Sequence, residues 1–287
     1  MQDYRIESFF DPATATVTHL VFDPVSRCAG VIDSVLDYDP KSGRTSHTSA
    51  DRVLDSIRRQ GLQLQWVLET HAHADHLSAA PYLKDKLGGK VAIGRQICEV
   101  QTVFRRIFND QDLDTEGRDF DRLLDDGDVI RIGELQLQVM HTPGHTPACY
   151  SFVIGLDAFV GDTLFMPDYG SARADFPGGD ATALYRSIRR ILDLPPQTRL
   201  HVGHDYLPAG RTENAWETTV AEQRARNVHV HDGIDEAGFV AMRTARDATL
   251  APPVLILPSL QVNIRAGAMP PASPAGRVFL RLPVTTG

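Results

Sequence analysis

Residues 70–76 read Thr-His-Ala-His-Ala-Asp-His, directly after the compact apolar segment Trp66-Val67-Leu68. His71, His73, Asp75 and His76 place four potential metal ligands within six residues, denser than ordinary surface polarity. A buried strand delivering the chain to a polar turn is where α/β proteins set their binding groups. In extended or turning backbone His71 and His73 share one face, while Asp75 and His76 can turn to another. One short loop can therefore serve two adjacent metal positions. The bland alternative is a solvated histidine-rich loop. An expression tag does not fit, because the run is internal and interrupted by Ala and Asp.

The flanking sequence supplies strands and helices in alternation. Residues 15–22 alternate and are rich in β-branched side chains, which predicts a strand. Asp23-Pro24 turns the chain, and 28–33 reads as the next buried strand. Its last residue, Asp33, either faces the same crevice or serves a turn. Thr48-Ser49-Ala50-Asp51 starts a helix with a Ser or Thr cap; Val53, Leu54, Ile57 and Leu62 form its apolar face, and Gly61 ends it. Helices are expected over 77–87 and 97–108, with a strand over 90–94. Residues 110–128 hold nine acids and two arginines and read as a solvated loop.

Two strands, 129–132 and 135–139, then flank a hairpin turn at Gly133-Glu134. The second runs into His141-Thr-Pro-Gly-His145-Thr146, where Pro and Gly force a tight turn. His145 sits on rigid backbone, as a ligand requires, whereas His141 is expected to be a hydrogen-bonded structural residue. Asp162 follows an apolar strand and Gly161. A carboxylate there is costly unless it meets a cation, so it reads as a bridging or terminal ligand. A helix capped by Asp180 spans 180–194. Residues 199–206 form another strand ending in His204-Asp205-Tyr206, with His201 structural. Beyond it, helices are expected over 217–227 and 235–245, extended segments over 252–257 and 260–264, and a loose tail from Gly267. The division expected is a catalytic domain over 1–210, with 211–287 packing on it as helical and extended segments. The two β-rich halves suggest two sheets face to face with helices outside, an α/β (α+β) arrangement.

Length and composition narrow the class. The chain has 287 residues and net charge −8, which argues against nucleic acid or an anionic membrane as the main partner. Cys28, Cys98 and Cys149 are widely spaced and odd in number, so no disulfide framework or zinc-finger spacing exists. Cys149 lies close enough to His145 to be a minor functional candidate. Residues 1–7 lack a secretory signal, and no run reaches the ~18 apolar residues of a membrane span. A cytoplasmic protein is expected.

The four elements in order, T-H-x-H-x-D-H, T-P-G-H-T, G-D-T and G-H-D, resemble the metallo-β-lactamase superfamily over about residues 15–210. The resemblance implies an αββα sandwich, two mixed β-sheets flanked by helices, with the site at one sheet edge. It implies a first metal position from His71, His73 and His145, and a second from Asp75, His76 and His204, bridged by Asp162. Three stretches, 69–77, 171–179 and 204–206, resemble more closely the glutathione persulfide dioxygenases of the glyoxalase II-related branch; 257–265 is similar to its bacterial members.

That finer resemblance implies one Fe(II) per chain on His71, His145 and Asp162, a two-His, one-carboxylate set with positions open for O2 and substrate. His73, Asp75, His76 and His204 then orient water, substrate or the ligands. Residues matching Arg173 and Tyr206 bind the glutathione part. From the residues themselves, Arg173, Asp175 and Tyr206 offer a cation, an acid and a phenol suited to a zwitterionic peptide-like ligand; a loop salt bridge is the plainer reading of Arg173 and Asp175. Ala174 stands where some relatives carry Thr or Cys, which leaves substrate preference open. The function implied is oxidation of glutathione persulfide by O2 to sulfite and glutathione, a step of sulfur metabolism. The second hypothesis is a dinuclear zinc thiolester hydrolase of the glyoxalase II type, for which Arg224, Arg226, Arg243 and Arg246 are candidate basic residues. A third is a metal-loaded binding or sensing protein without turnover. A homodimer paired through exposed edges is a further expectation.

Overall fold

Alternating side chains decide the layering. The computed structural model describes residues 3–284. Three antiparallel strands open the chain: β1 (Arg5–Asp11), β2 (Thr16–Phe22) and β3 (Cys28–Ile32). A side hairpin, β4 (Val35–Asp39) and β5 (Arg44–Ser46), leads to α1 (Thr48–Gln60) and β6 (Gln63–Leu68). Then follow β7 (Leu77–Ser78), α2 (Ala80–Leu87), β8 (Lys90–Gly94), α3 (Ile97–Ile107) and β9 (Arg122–Leu124). The second half holds β10 (Val129–Ile132), β11 (Leu135–His141), β12 (Tyr150–Ile154) and β13 (Asp157–Gly161). It continues with α4 (Ala181–Leu192), β14 (Arg199–Val202), β15 (Glu217–Thr219), α5 (Val220–Arg226), α6 (Glu236–Asp247) and α7 (Ile256–Asn263).

Two six-stranded mixed sheets result, ordered β1-β2-β3-β6-β8-β9 and β10-β11-β12-β13-β14-β15. Between them, Val21, Ile32 and Leu68 of the first meet Ile130, Leu137, Phe152 and Phe159 of the second in one buried cluster. Outside the first sheet, Val53, Leu54 and Ile57 of α1, Leu83 of α2 and Phe104 of α3 bury a second cluster. Outside the second sheet, Leu184, Ile188 and Ile191 of α4 pack with Phe239 of α6. Burying each such side chain stabilises by roughly 1.5–3 kcal/mol, so the three clusters fix an αββα sandwich.

Local signals hold at the helix ends. Gly61 ends α1 in the left-handed conformation with φ +61°, and Asp180 caps α4 by accepting from the Ala183 N–H at 2.6 Å. Elsewhere the structure corrects the sequence reading. Helix α1 has no side-chain cap; the hydroxyl and N–H of Ser49 instead donate to Asp37. The helix expected over 77–87 begins only at Ala80, because Leu77 and Ser78 pair with β4. Residues 217–219 are strand rather than helix, and the acidic stretch contains the edge strand β9. The extended segments expected over 252–264 are largely α7. Ser259 to Gly267 are buried without interruption, and such a segment shows no face by which to tell strand from helix. Pro258 sits in the first turn of α7, where a missing N–H costs nothing. Among the described residues no helix is long and apolar enough to cross a membrane.

Candidate metal centre

The ligand loop hangs from the end of β6. Beyond Leu68 the chain leaves the first sheet, and residues 69–76 cross its edge without regular structure. Three other strand ends converge there. β11 leads through a turn to His145, β13 ends at Gly161 before Asp162, and β14 ends before His204. Gly144 makes the His145 turn possible: its φ is +136°, and a Cβ would lie 2.2 Å from the backbone nitrogen of Leu184.

The structure groups the seven expected ligands into two neighbouring sets. His71, His145 and Asp162 each offer a donor atom within 4.8 Å of the others, and so do His73, Asp75 and His76. His71 Nε2 and His145 Nε2 lie 3.9 and 3.8 Å from Asp162 Oδ2. His204 Nε2 joins the sets, 3.2 Å from Asp75 Oδ2 and 3.3 Å from Asp162 Oδ1. His71 Nε2, His73 Nδ1, Asp75 Oδ2, His76 Nε2, Asp162 Oδ1 and His204 Nε2 are all buried without a hydrogen-bond partner among the described residues. A buried polar atom left unpaired costs about 1–3 kcal/mol. Six of them, spread over these two neighbouring sets, fit the binding of divalent cations, whose bonds would satisfy them.

Groups behind the ligands set which nitrogen is free. Asp33 accepts from the Thr70 N–H at 2.7 Å and the Thr70 hydroxyl at 2.8 Å, and lies 3.1 Å from His73 Nε2. Glu69 lies at the same distance from that nitrogen and accepts from the Ser78 hydroxyl. The Nε2 proton of His73 is thereby held, leaving Nδ1 for a metal. His145 Nδ1 donates to the Arg173 carbonyl at 2.8 Å, leaving Nε2 for a metal. Burial, and then the neighbouring His73 and His145, hold His71 well below the ordinary histidine pKa. Burial also opposes charge on His73, but Asp33 and Glu69 outweigh it and raise its pKa well above the usual value.

A cavity of about 790 Å³ opens over these ligands. His145, Asp162, Arg173 and Tyr206 line it, together with Arg243 and Arg246. Arg173 is not free: its Nε and Nη2 bind Asp175 at 2.5 and 2.7 Å, and Nη1 donates to the Ala251 carbonyl. Asp175 therefore holds Arg173 and does not line the cavity. Tyr206 stacks on His204 with ring centroids 5.3 Å apart. Arg243 is buried against Asp247, whereas Arg246 has no carboxylate within ion-pair distance among the described residues. Arg224 and Arg226 pair with Asp232 and Glu222 and do not line the cavity. His141 and His201 bond the Pro147 carbonyl and Asp157, in the structural roles expected of them. Cys149 is buried and its thiol is pushed up to about 12, chiefly by burial, so it is no nucleophile.

The sequence leaves Asp33 between a crevice and a turn, and it carries no sign of Glu69, which faces His73, or of Asn263, whose side chain bonds the His73 and His76 carbonyls. Their contacts reach ligands through space. Only Asp33, a polar residue closing an apolar strand, carried a signal.

Residues 29–204 match the model of the family described as Metallo-beta-lactamase superfamily. A "Probable metallo-hydrolase" of Burkholderia pseudomallei (strain 1710b) is 55% identical, over 97% of this chain and 98% of that protein. "Glyoxylase B2" of Dictyostelium discoideum is 45% identical, over 98% of this chain and 97% of that one. "Persulfide dioxygenase ETHE1, mitochondrial" of Homo sapiens is 31% identical, over 93% and 91%. The crystal structure of ETHE1 from Myxococcus xanthus superposes with a TM-score of 0.72 at 29% identity, covering 92% of this chain and all of that one.

Proposed function

The chain belongs to the metallo-beta-lactamase superfamily, and from that premise we propose that it is a persulfide dioxygenase acting on glutathione persulfide. One observation carries the choice. His71, His145 and Asp162 offer donor atoms within 4.8 Å of one another, while His73, its ring 4.2 Å from that of His71, stands at that spacing with Asp75 and His76 and also with Asp33 and Glu69. Two histidines and one carboxylate with open positions are the donor set of non-haem Fe(II) oxygenases. When bound, Fe(II) supplies open coordination positions and the redox chemistry that lets O2 react with sulfur. His71, His145 and Asp162 would hold it. His73, Asp75, His76 and His204 would orient water and the persulfide from the adjoining side. The cavity is large enough for a tripeptide-sized thiol. Arg246, which has no carboxylate partner among the described residues, would present its guanidinium to a substrate carboxylate, Tyr206 would offer a phenol, and Arg173, braced by Asp175, shapes the wall. The overall change is persulfide, O2 and water to thiol, sulfite and two protons. Residues 1–210 would be the catalytic domain, with 211–287 packing on it and 243–255 completing the cavity wall.

A second reading keeps a specific observation in its favour. The set around His73, Asp75 and His76, with His204 beside it, can take a second metal, and Arg243 and Arg246 of α6 face the cavity. Relatives named "Probable metallo-hydrolase" and "Glyoxylase B2" share more of the sequence. That combination suits a dinuclear zinc thiolester hydrolase. The deciding experiment is oxygen consumption with glutathione persulfide, on protein reconstituted anaerobically with Fe(II) and on a zinc-loaded control. Oxygen uptake with sulfite in the iron sample alone is expected. No uptake in either, with acylglutathione cleaved by the zinc form, would establish the hydrolase instead.

A further inference from the structure

Asn263 ends α7, and it is 4% exposed. Its Nδ2 donates to the carbonyl oxygens of His73 at 2.8 Å and His76 at 2.7 Å. Its Oδ1 accepts from the Ser78 N–H at 2.8 Å. Both amide protons and the amide oxygen are thus spent on one short stretch of backbone, 185 to 190 residues away in sequence. That stretch carries His73, Asp75 and His76. Fixing the carbonyls at both ends fixes the peptide planes between them, and hence the directions of the three side chains. No other residue type of this size offers two donors and an acceptor in one plane: Asp lacks the donors, and Leu offers neither.

We propose that Asn263 is a positioning residue for the metal loop, which presets the ligands before a metal arrives. The proposal rests on the metal-centre reading, whichever metal is used. It gives α7 a function: this helix is the support against which the ligand loop is shaped, and it lies outside the span 29–204 that matches the family model.

The test uses the whole chain, stripped of metal, as wild type, Asn263→Asp, Asn263→Ala and Gln261→Ala. Gln261 lies on the same helix but bonds Leu257 and Arg281 instead of the loop. Cobalt(II) titration reads ligand geometry in the visible spectrum, and zinc competition against a chelator reads affinity. Asn263→Asp and Asn263→Ala should bind roughly tenfold to a hundredfold more weakly, with an altered cobalt spectrum; Gln261→Ala should match wild type. Amide exchange supplies a reading that needs no variant: Ser78 should exchange slowly in metal-free wild type. Binding by Asn263→Asp within twofold of wild type with the same spectrum overturns the proposal, as does free exchange at Ser78 in the metal-free protein. Wild type that takes up no metal would sink the metal-centre reading and the proposal with it.

Discussion

Replacing Asp33 by Asn tests how far one buried carboxylate governs two ligand histidines. Asp33 is 2% exposed and has φ +54°, a conformation that Asn tolerates, so the substitution changes chemistry and not backbone. Asp33 Oδ1 receives the Thr70 N–H and faces His73 Nε2; Oδ2 receives the Thr70 hydroxyl. That hydroxyl has one proton, and Thr70 Oγ1 lies 3.0 Å from His71 Nδ1. With the proton committed to Asp33, Thr70 accepts from the Nδ1–H of His71, and His71 Nε2 keeps its lone pair for a metal. In the Asn variant the amide oxygen best stays on Thr70 N and His73, which points the amide NH2 at the Thr70 hydroxyl. The hydroxyl proton then turns to His71 Nδ1, moving the imidazole proton to Nε2, or stays unpaired. Either outcome costs about 1–3 kcal/mol in the metal-bound state. At 1.4 kcal/mol per decade, metal affinity should fall roughly tenfold to a hundredfold. Metal-free stability, measured by urea unfolding, should change by less than about 1 kcal/mol, because the tautomers can relax when no metal competes. Asp33→Ala should lose both, since it strands the Thr70 donors and strains the backbone, by roughly 3–6 kcal/mol together. Chelator competition on the full chain is the assay. Wild-type affinity in Asp33→Asn would falsify the tautomer argument.

Two further outcomes follow from the geometry. Gly144→Ala forces a Cβ into the backbone of α4 at a φ of +136°, so it should lower the melting temperature by several degrees and reduce bound metal at His145; calorimetry with metal analysis checks this, and normal values for both would refute the steric argument. Asp157 is buried, yet hydrogen bonds from His201, Arg199 and Tyr4 outweigh burial and hold its pKa below the ordinary value. A lowered folded-state pKa gives stability that is present above the unfolded pKa of about 4 and lost as pH falls through the folded value. Asp157→Asn should therefore flatten the urea midpoint against pH below about pH 5, and parallel wild-type and variant curves would contradict the assignment.

The cluster of candidate ligands is legible because each of them follows a strand, where a buried polar residue needs a reason. The layering was legible for the same cause: period-two burial along β11 and the apolar faces of α1 and α4 are local properties. What the sequence hid is non-local. Helix α7 is buried on every face from Ser259 onward, so its composition resembles a buried strand. β9 is three residues long and paired at one edge, within a run whose charges signal only solvation. Asp33 and Asn263 act on residues tens to nearly two hundred positions away; the end of an apolar strand marks Asp33 as buried and polar without naming its partner, and nothing around Asn263 announces its role. Arg173 and Asp175 suit ligand contacts in sequence, with a loop ion pair as the alternative; the structure pairs them with each other and leaves Asp175 off the cavity wall.

His73 is where the one-metal and two-metal readings part. Two buried carboxylates, Asp33 and Glu69, face its Nε2 at the same 3.1 Å. A neutral imidazole has one proton there and cannot donate fully to both. Counted formally, Asp33, Glu69, Asp75 and Asp162 bring four negative charges around five histidines. Two divalent cations on neutral imidazoles balance that charge. One divalent cation leaves two negative charges, and a proton retained on His73 removes one of them. That proton would lie on Nδ1, the atom a second metal needs, with Nε2 already committed to the carboxylates. A second metal would have to displace that proton, whereas the His71, His145 and Asp162 set needs no atom of His73. In the one-metal protein His73 is then a charged donor beside the open positions, suited to an anionic persulfide. In the two-metal protein the same residue is a ligand. The carboxylates behind His73 thus bear on the choice of chemistry as directly as the ligands do.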